Sequence, residues 1–250
     1  MPGRERKAAG GVRPAFYALR PGGWRDYVTL LHPPYTLWHL SYVAVGAALA
    51  PHMKWGLLGW TVLAFLLAMG VGAHALDELH GRPLGTRIPS GVLVALAAVS
   101  LAAASAIGIV VAADTTWWLL AFVVFGAFVA VAYNLELAGG AFHSDVWFAL
   151  AWGSFPALTA YFASAETIRG AAVAAAAFAF LASLAQRRLS TQVRLVRRRL
   201  TRVSGSATLT DGAAVTVDAD LLARAPEQAL QLLAAALPML AAALLLARAA

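Results

Sequence analysis

The sequence predicts an all-α protein, a polytopic transmembrane helical bundle with about seven spans. Of its 250 residues, 61% are hydrophobic and only 12% are charged, whereas soluble domains carry about 25% charged residues. The mean hydropathy is +0.72. Apolar runs of roughly 20 residues recur along the chain, and this is the length needed to cross about 30 Å of hydrocarbon. The sequence lacks the segments of about ten residues with alternating polarity that build transmembrane β-barrels.

The individual spans are predicted from apolar runs that are separated by charged or turn-forming residues. Their boundaries are 35–50, 55–76, 91–112, 117–133, 146–163, 168–185 and 229–247. Glycine and proline occur inside several of these runs, and small residues allow transmembrane helices to pack closely. The chain contains no cysteine, which excludes disulfides and thiolate chemistry.

The positive charges predict the orientation of the bundle. Sixteen of the nineteen lysine and arginine residues fall in the N-terminal segment and in the connections expected on the same side of the membrane. Lys54, Arg169 and Arg248 fall on the other side. Because cytoplasmic segments are enriched in Lys and Arg, we expect a multi-pass cell-membrane protein with a cytoplasmic N-terminus and an external C-terminus. The net charge of +7 then indicates contact with anionic lipids of the bilayer, and no nucleic-acid partner.

The same pattern divides the chain into four regions. Residues 1–34 form a basic cytoplasmic segment without a cleavable signal peptide, and residues 35–185 form a transmembrane bundle with a polar site on its cytoplasmic side. Residues 186–228 form a second basic cytoplasmic segment, in which β-prone stretches are compatible with a short hairpin turning at Asp211-Gly212. Residues 229–250 form the C-terminal transmembrane helix.

A cluster of polar residues lies at the cytoplasmic end of the second span. His74, Asp77 and Glu78 are spaced i, i+3 and i+4, so they share one helix face over an arc of about 100°. Two carboxylates and an imidazole on one face can bind a hard divalent cation or share a proton, and Arg82 and Arg87 follow in the next loop. The alternative is that the acids only pair with these arginines and fix the topology.

The next cytoplasmic loops supply further candidates for the same site. Tyr133 and Asn134 end the fourth span, and Arg187 and Arg188 follow the sixth. An arginine fork binds phosphate oxygens in pairs, so the two arginines are candidate substrate contacts. Asn134 is a candidate contact as a polar residue of the same membrane face. Tyr133 could stack on or hydrogen-bond a substrate head group, and the alternative is an interfacial anchor. The polar residues that follow Asn134 either form a second wall of the cavity or are ordinary loop residues, with Asp145 starting the fifth helix.

These motifs, taken together, resemble the UbiA superfamily of intramembrane prenyltransferases. The stretch A-H-A-L-D-E-L-H-G-R-P-L-G-T-R-I-P-S-G is similar to the family's acidic first motif and the R-P-x-P-S-G loop after it. The stretch Y-N-L-E-L-A-G-G-A-F-H-S-D-V-W is similar to its tyrosine-containing loop, and L-L-H-P-P-Y-T-L-W precedes the first span as an Arg-Pro segment does in the family. The resemblance extends over roughly residues 24–200 and implies up to nine spans if short helices are hidden.

The resemblance implies an isoprenoid transferase that uses Mg²⁺. A prenyl diphosphate would be bound through metal at Asp77, Glu78 and His74, with the arginines on its phosphates, and the isoprenoid would pass to a lipophilic acceptor. The chain departs from the family in two places. Met69, Gly70 and Ala73 stand where the first motif has further acids, and L-A-Q-R-R-L-S-T replaces the second acidic motif.

These departures keep other functions open. A catalytically inactive UbiA-like protein would bind a prenyl lipid or a partner protein, and the missing second acidic motif favours it. A terpene cyclase of the same fold would capture the isoprenoid cation within the same molecule. A small transporter is the third class, although transporters place their ionisable groups near the bilayer midplane and here they lie at one end.

Overall fold

The computed structural model describes residues 14–250, which are mostly helical, and this confirms the predicted all-α class. Arg4, Arg6, Lys7 and Arg13 of the predicted basic segment lie outside the described residues. The elements are α1 (Trp24–Leu30), α2 (Pro33–Leu49), α3 (Trp55–Leu79), α4 (Ser90–Asp114), α5 (Leu119–Asn134), a short turn (Leu137–Gly140), α6 (Asp145–Ala165), α7 (Gly170–Arg199), β1 (Ser206–Thr208), β2 (Ala214–Thr216) and α8 (Ala219–Ala249).

Five of these helices, α3, α4, α6, α7 and α8, are long and apolar enough to cross a membrane. They indicate a membrane-embedded protein, as the composition predicted. Two further apolar helices are shorter than these five, with 17 residues in α2 and 16 in α5. The predicted number of about seven spans is therefore not confirmed by helix length and composition.

Three of the long helices contain a π-helical segment, in which the backbone is wider than in an α-helix. These segments are Leu66–Ala73 in α3, Ala149–Ser154 in α6 and Leu195–Arg199 in α7. Each extra residue rotates the side chains that follow it relative to an uninterrupted α-helix. The first segment ends directly before His74, so it sets the direction in which the predicted polar cluster points.

Helix α2 lies at the centre of the bundle, packed against α6 and α8. Its Trp38 and Tyr42 are fully buried, and their polar atoms are paired inside the core. The Trp38 indole nitrogen donates to the Tyr42 hydroxyl over 2.5 Å, and Ser183 of α7 donates to the same oxygen over 3.3 Å. The backbones of α2 and α6 come so close that a Cβ on Gly46 would lie 2.1 Å from the carbonyl oxygen of Ala157.

The segment after the sixth predicted span consists of the end of α7 followed by a β-hairpin. Helix α7 continues as far as Arg199, so the basic residues from 186 onward extend a long helix instead of starting a separate element. The predicted hairpin is present, because β1 pairs antiparallel with β2 and Gly212 has a φ of 84° in the turn.

The last helix returns the chain to the end of the bundle opposite that hairpin. It begins at Ala219, earlier than the predicted 229, and Arg248 near its end donates to the carbonyl oxygens of Ala48 and Ala50 over 2.6 and 2.9 Å. Arg248 therefore satisfies carbonyl groups that the end of α2 leaves without helical partners.

Replacement of Gly46 by alanine tests the close approach of α2 and α6. We expect Gly46→Ala to lower the free energy of unfolding by about 1–3 kcal/mol, because the added methyl group overpacks a contact between two backbones. The matched control is Gly59→Ala in α3, where a Cβ would meet nothing within 4 Å. Thermal unfolding in detergent measures both variants, and equal stability of the two would contradict the packing described.

Candidate functional site

A cavity of about 670 Å³ opens among helix ends that lie together at one end of the bundle. The start of α2, the end of α3, the end of α5, the start of α6 and the end of α7 all contribute side chains to it. Its polar and aromatic lining consists of Phe16, Tyr17, His32, Tyr35, His39, His74, Asp77, Tyr133, Asn134, His143, Asp145, Phe148, Trp152, Gln186, Arg187, Ser190, Thr191, Arg194, Arg198 and Arg199. The predicted polar residues of three separate loops thus converge around one space.

The two acids of the predicted cluster point in different directions. Asp77 lines the cavity, whereas Glu78 is fully buried outside it. The Glu78 carboxylate accepts hydrogen bonds from the backbone nitrogen of Leu84 at 3.0 Å and from the nitrogen and hydroxyl of Thr86 at 2.8 Å each. Successive residues of a helix point about 100° apart, so the acids occupy opposite edges of the face on which the sequence placed them.

The arginines after the cluster also hold the loop together. Arg82 has a φ of 53°, and its guanidinium donates to the carbonyl oxygens of Thr86 and Ile88 and to the Ser90 hydroxyl at 3.3, 2.5 and 2.7 Å. The backbone nitrogen of Arg87 donates to Asp26 of α1 over 2.9 Å. Neither Arg82 nor Arg87 is among the residues that line the cavity, so the structure does not bring them to Asp77.

The basic wall of the cavity comes from the end of α7. Arg187 lines it together with Arg194, Arg198 and Arg199, while Arg188 is 80% exposed and lies outside it. Arg187 stacks over the ring of Phe148 at 5.3 Å. The sequence reasoning identified Arg187 but missed the three later arginines. All three belong to the dense run R-L-V-R-R-R within the predicted basic segment 186–228.

Asp145 is the second carboxylate of the cavity, but arginines already surround it. Its oxygens lie 3.1 Å from the Arg187 Nε atom and 3.7 Å from the Arg188 Nε atom. Ser144 caps the same helix by accepting from the Trp147 nitrogen. Asp145 therefore anchors the start of α6 to α7, and this fits the alternative in which it is a structural first-turn acid.

Two stacked histidines form the wall beside Asp77. The rings of His32 and His74 are 4.1 Å apart and inclined by only 13°. The Tyr17 hydroxyl lies 3.0 Å from the His32 Nδ1 atom. Burial lowers the pKa of His32 well below its usual value and raises the pKa of Tyr17. Both groups are thus uncharged at neutral pH. The sequence reasoning missed Tyr17, since only tertiary contact brings it to the cavity.

Several polar atoms of the cavity lining are buried without a partner. Within residues 14–250, they are His32 Nε2, His39 Nδ1, Tyr133 Oη and Gln186 Oε1. Buried polar groups in folded proteins are almost always hydrogen-bonded, because desolvation without a partner costs about 1–3 kcal/mol. The concentration of four such atoms around one cavity indicates a space that a polar ligand completes.

The predicted residues Tyr133 and Asn134 both line the cavity. The ring of Tyr133 stacks against His143 at 4.4 Å and contacts Trp152 at 4.7 Å. The Asn134 amide donates to the carbonyl oxygen of Ala130 over 2.7 Å. Asn134 is thus partly satisfied by its own helix, while the Tyr133 hydroxyl remains available to a ligand.

The protein groups suited to a metal ion are few. Within residues 14–250, no group of three or more His, Cys, Asp or Glu side chains is arranged to hold one. The cavity lining contains two carboxylates, Asp77 and Asp145. Asp145 forms ion pairs with arginines, whereas Asp77 forms none with the described residues. Magnesium sites in proteins can use as few as one or two carboxylates, and Asp77 is the residue of this lining that could contribute one.

Comparison with known proteins adds no relative: no protein-family model, no curated protein and no solved structure matches this chain.

Because Glu78 is buried in the loop contacts and Asp77 faces the cavity, substitutions of the two acids should differ in their effect on stability. Glu78→Gln turns an amide group toward the backbone N–H donors of Leu84 and Thr86, so we expect the free energy of unfolding to fall by about 1–3 kcal/mol. Asp77→Asn, which alters the neighbouring residue on the cavity side, should lower it by less. Chemical or thermal unfolding in detergent measures both, and a larger loss for Asp77→Asn would refute the structural assignment of Glu78.

Proposed function

We propose that the chain is a UbiA-like integral membrane prenyltransferase, which moves an isoprenoid group from a prenyl diphosphate to a lipophilic acceptor. The observation that carries the proposal is the cavity itself. Several arginines, the carboxylate of Asp77, and histidine, tyrosine and other aromatic side chains all line this one space. A headgroup with concentrated negative charge attached to an apolar chain is the ligand that suits this combination.

The arginine wall would bind the diphosphate. Arg187 and Arg194 are seven residues apart on α7, which is about two helical turns, so both guanidinium groups can face the cavity. Arg198 donates to the carbonyl oxygen of Pro14 over 3.0 Å, which holds it at the rim. Arginine forks bind phosphate oxygens in pairs, and hydrogen bonds aimed at a leaving group stabilise the charge that develops on it.

The aromatic residues would protect the isoprenoid during transfer. Tyr35, Tyr133, Phe148 and Trp152 line the cavity, and the face of an aromatic ring attracts a cation. A carbocation at the end of the isoprenoid would therefore be stabilised and shielded from water. Magnesium, when bound, would neutralise part of the diphosphate charge, with Asp77 as its protein ligand and phosphate oxygens as the others.

We further propose that α2 and α5 also cross the membrane, which gives seven spans with the N-terminus in the cytoplasm and the C-terminus outside. A helix of 17 residues is about 26 Å long, which is close to the hydrocarbon thickness of about 30 Å. The distribution of arginines supports this orientation, because the basic end of α7 belongs to the cavity end, while Arg248 contacts the opposite end of α2.

A second candidate is a catalytically inactive protein of the same fold that binds a prenyl lipid. The specific observation in its favour is the pairing of Asp145 with Arg187 and Arg188, which leaves Asp77 as the one free carboxylate described in the cavity. Binding would then proceed without transfer, and the arginine wall would serve affinity alone.

Release of diphosphate separates the two candidates. Purified protein is incubated with labelled geranylgeranyl or farnesyl diphosphate and magnesium, and released diphosphate is measured. The proposal expects release that Asp77→Asn abolishes, because the metal-bound leaving group loses its protein ligand. Binding of the labelled lipid without release of diphosphate would establish the inactive candidate instead. A cyclised hydrocarbon as the product would identify the cyclase variant.

The arginine wall is tested by lipid binding. Arg194→Gln should weaken the binding of geranylgeranyl diphosphate by about 10- to 100-fold, since a hydrogen bond to a charged group contributes about 1.5–3 kcal/mol. The matched control is Arg202→Gln, because Arg202 is exposed and lies outside the cavity lining. Equal loss of affinity in both variants would mean that general positive charge attracts the lipid, and that the cavity does not bind its headgroup.

A further inference from the structure

A short segment before α1 forms part of the cavity wall without belonging to any helix or strand. It consists of residues 14–19, which we call the strap. Pro14, Ala15, Phe16 and Tyr17 of the strap line the cavity. A segment of irregular backbone is attached through a few contacts, whereas the helices that form the rest of the bundle pack along their length. The strap is therefore a part of the lining that can move while the bundle stays intact.

The end of the strap that leads into α1 is held by buried contacts. The Leu19 backbone nitrogen donates to the Thr29 hydroxyl over 3.0 Å, and both Ala18 and Thr29 are buried. The Tyr17 hydroxyl lies 3.0 Å from the His32 Nδ1 atom at the start of α2. Residues 17–19 are thus fastened to α1 and α2, and they form the fixed end of the strap.

The other end of the strap is held from α7 by an exposed contact. The Arg198 Nε atom donates to the carbonyl oxygen of Pro14 over 3.0 Å. Phe16 meets Tyr35 edge-on, with 6.1 Å between the ring centroids, and Ala15 is only 8% exposed. Water competes for an exposed hydrogen bond more readily than for a buried one. The bond from Arg198 is therefore the contact that opens most easily, and its loss would expose Ala15.

The Arg198 side chain belongs both to the strap and to the arginine wall. A guanidinium group has five N–H donors in one plane, and Arg198 uses Nε for Pro14 while it also lines the cavity. Within residues 14–250, its two terminal nitrogens have no hydrogen-bond partner. An anion bound by these nitrogens would fix the guanidinium plane. The same plane directs Nε toward the Pro14 carbonyl oxygen, so an anion in the cavity would strengthen the attachment of the strap.

We propose that the strap is a lid that closes over an anionic headgroup in the cavity, with Arg198 contacting the headgroup and the Pro14 carbonyl oxygen at the same time. This inference rests on the proposed binding of a prenyl diphosphate and adds a conformational step at that same site. Without the anion, residues 14–16 turn outward about the fixed end. Coupling between two contacts is reciprocal, so the anion stabilises the closed strap by the factor by which the strap tightens anion binding.

Cysteine labelling measures the position of the strap. The chain contains no cysteine, so Ala15→Cys introduces a single thiol into the full-length protein. We expect saturating inorganic diphosphate, with magnesium present throughout, to slow the reaction of this thiol with a water-soluble maleimide by about 10-fold, a usual size for coupled sites. Ala18→Cys, at the fixed end, should stay unreactive in both conditions. Ala207→Cys, on the exposed strand β1, should react equally fast in both.

Substitution of Arg198 separates its contact with the strap from its charge. In the Ala15→Cys background, Arg198→Gln should speed labelling without ligand and reduce the protection at saturating diphosphate to below about twofold. The matched control is Arg199→Gln, because Arg199 also lines the cavity but forms no hydrogen bond with the described part of the strap. This control should weaken diphosphate binding and keep the protection at saturation. Equal loss of protection in both variants would overturn the proposal, because charge alone would then close the cavity.

Binding of labelled inorganic diphosphate to the wild-type protein, measured in parallel, separates the lid from the proposed function. Diphosphate that binds without changing the labelling rate at position 15 refutes the lid and leaves headgroup binding standing. Protein that binds diphosphate and protects position 15, but never releases diphosphate from a prenyl diphosphate, supports the lid and favours the inactive candidate. Protein that binds no diphosphate refutes both the lid and the proposed headgroup site.

Discussion

The buried carboxylate of Glu78 is the interaction on which the candidate site depends. A charge with no exposed surface is tolerated only when hydrogen bonds replace the water it has lost. Glu78 receives three such bonds from Leu84 and Thr86, and these define the path of the loop between α3 and α4. The loop in turn holds the end of α3 at the angle at which Asp77 and His74 reach the cavity.

The polar residues of this bundle divide into those that are satisfied and those that are not. Glu78 and Arg82 form their hydrogen bonds with groups of the segment between α3 and α4 and the start of α4. Asp26 accepts from the backbone nitrogens of Gly22 and Arg87. The cavity lining instead contains buried nitrogen and oxygen atoms without partners in the described residues, such as those of His32 and Tyr133. Four of the seven unpartnered buried side-chain atoms within residues 14–250 belong to residues of this lining, which supports polarity kept there for a ligand.

Hydropathy and turn chemistry were sufficient to predict the helical class and the hairpin at Asp211-Gly212. They were not sufficient to predict what α3 does with adjacent acids. Asp77 and Glu78 differ by one step of about 100° around the helix. Which of the two faces the cavity depends on tertiary contacts, because Thr86 of the following loop binds Glu78 and the end of α7 lines the cavity with Asp77. The sequence pattern also gave no indication of Tyr17, because this residue lies before α1, outside any helix, and contacts His32 only in the folded structure.

The arginine wall places a further constraint on what the cavity contains. Arg194 donates to the Thr191 hydroxyl and Arg198 donates to a backbone carbonyl, so neither receives a carboxylate partner from the described residues. Positive charges in a partly buried space repel each other more strongly than they would in water. An anionic ligand relieves that repulsion, whereas a neutral ligand does not. The charge distribution therefore favours an anion beside the end of α7.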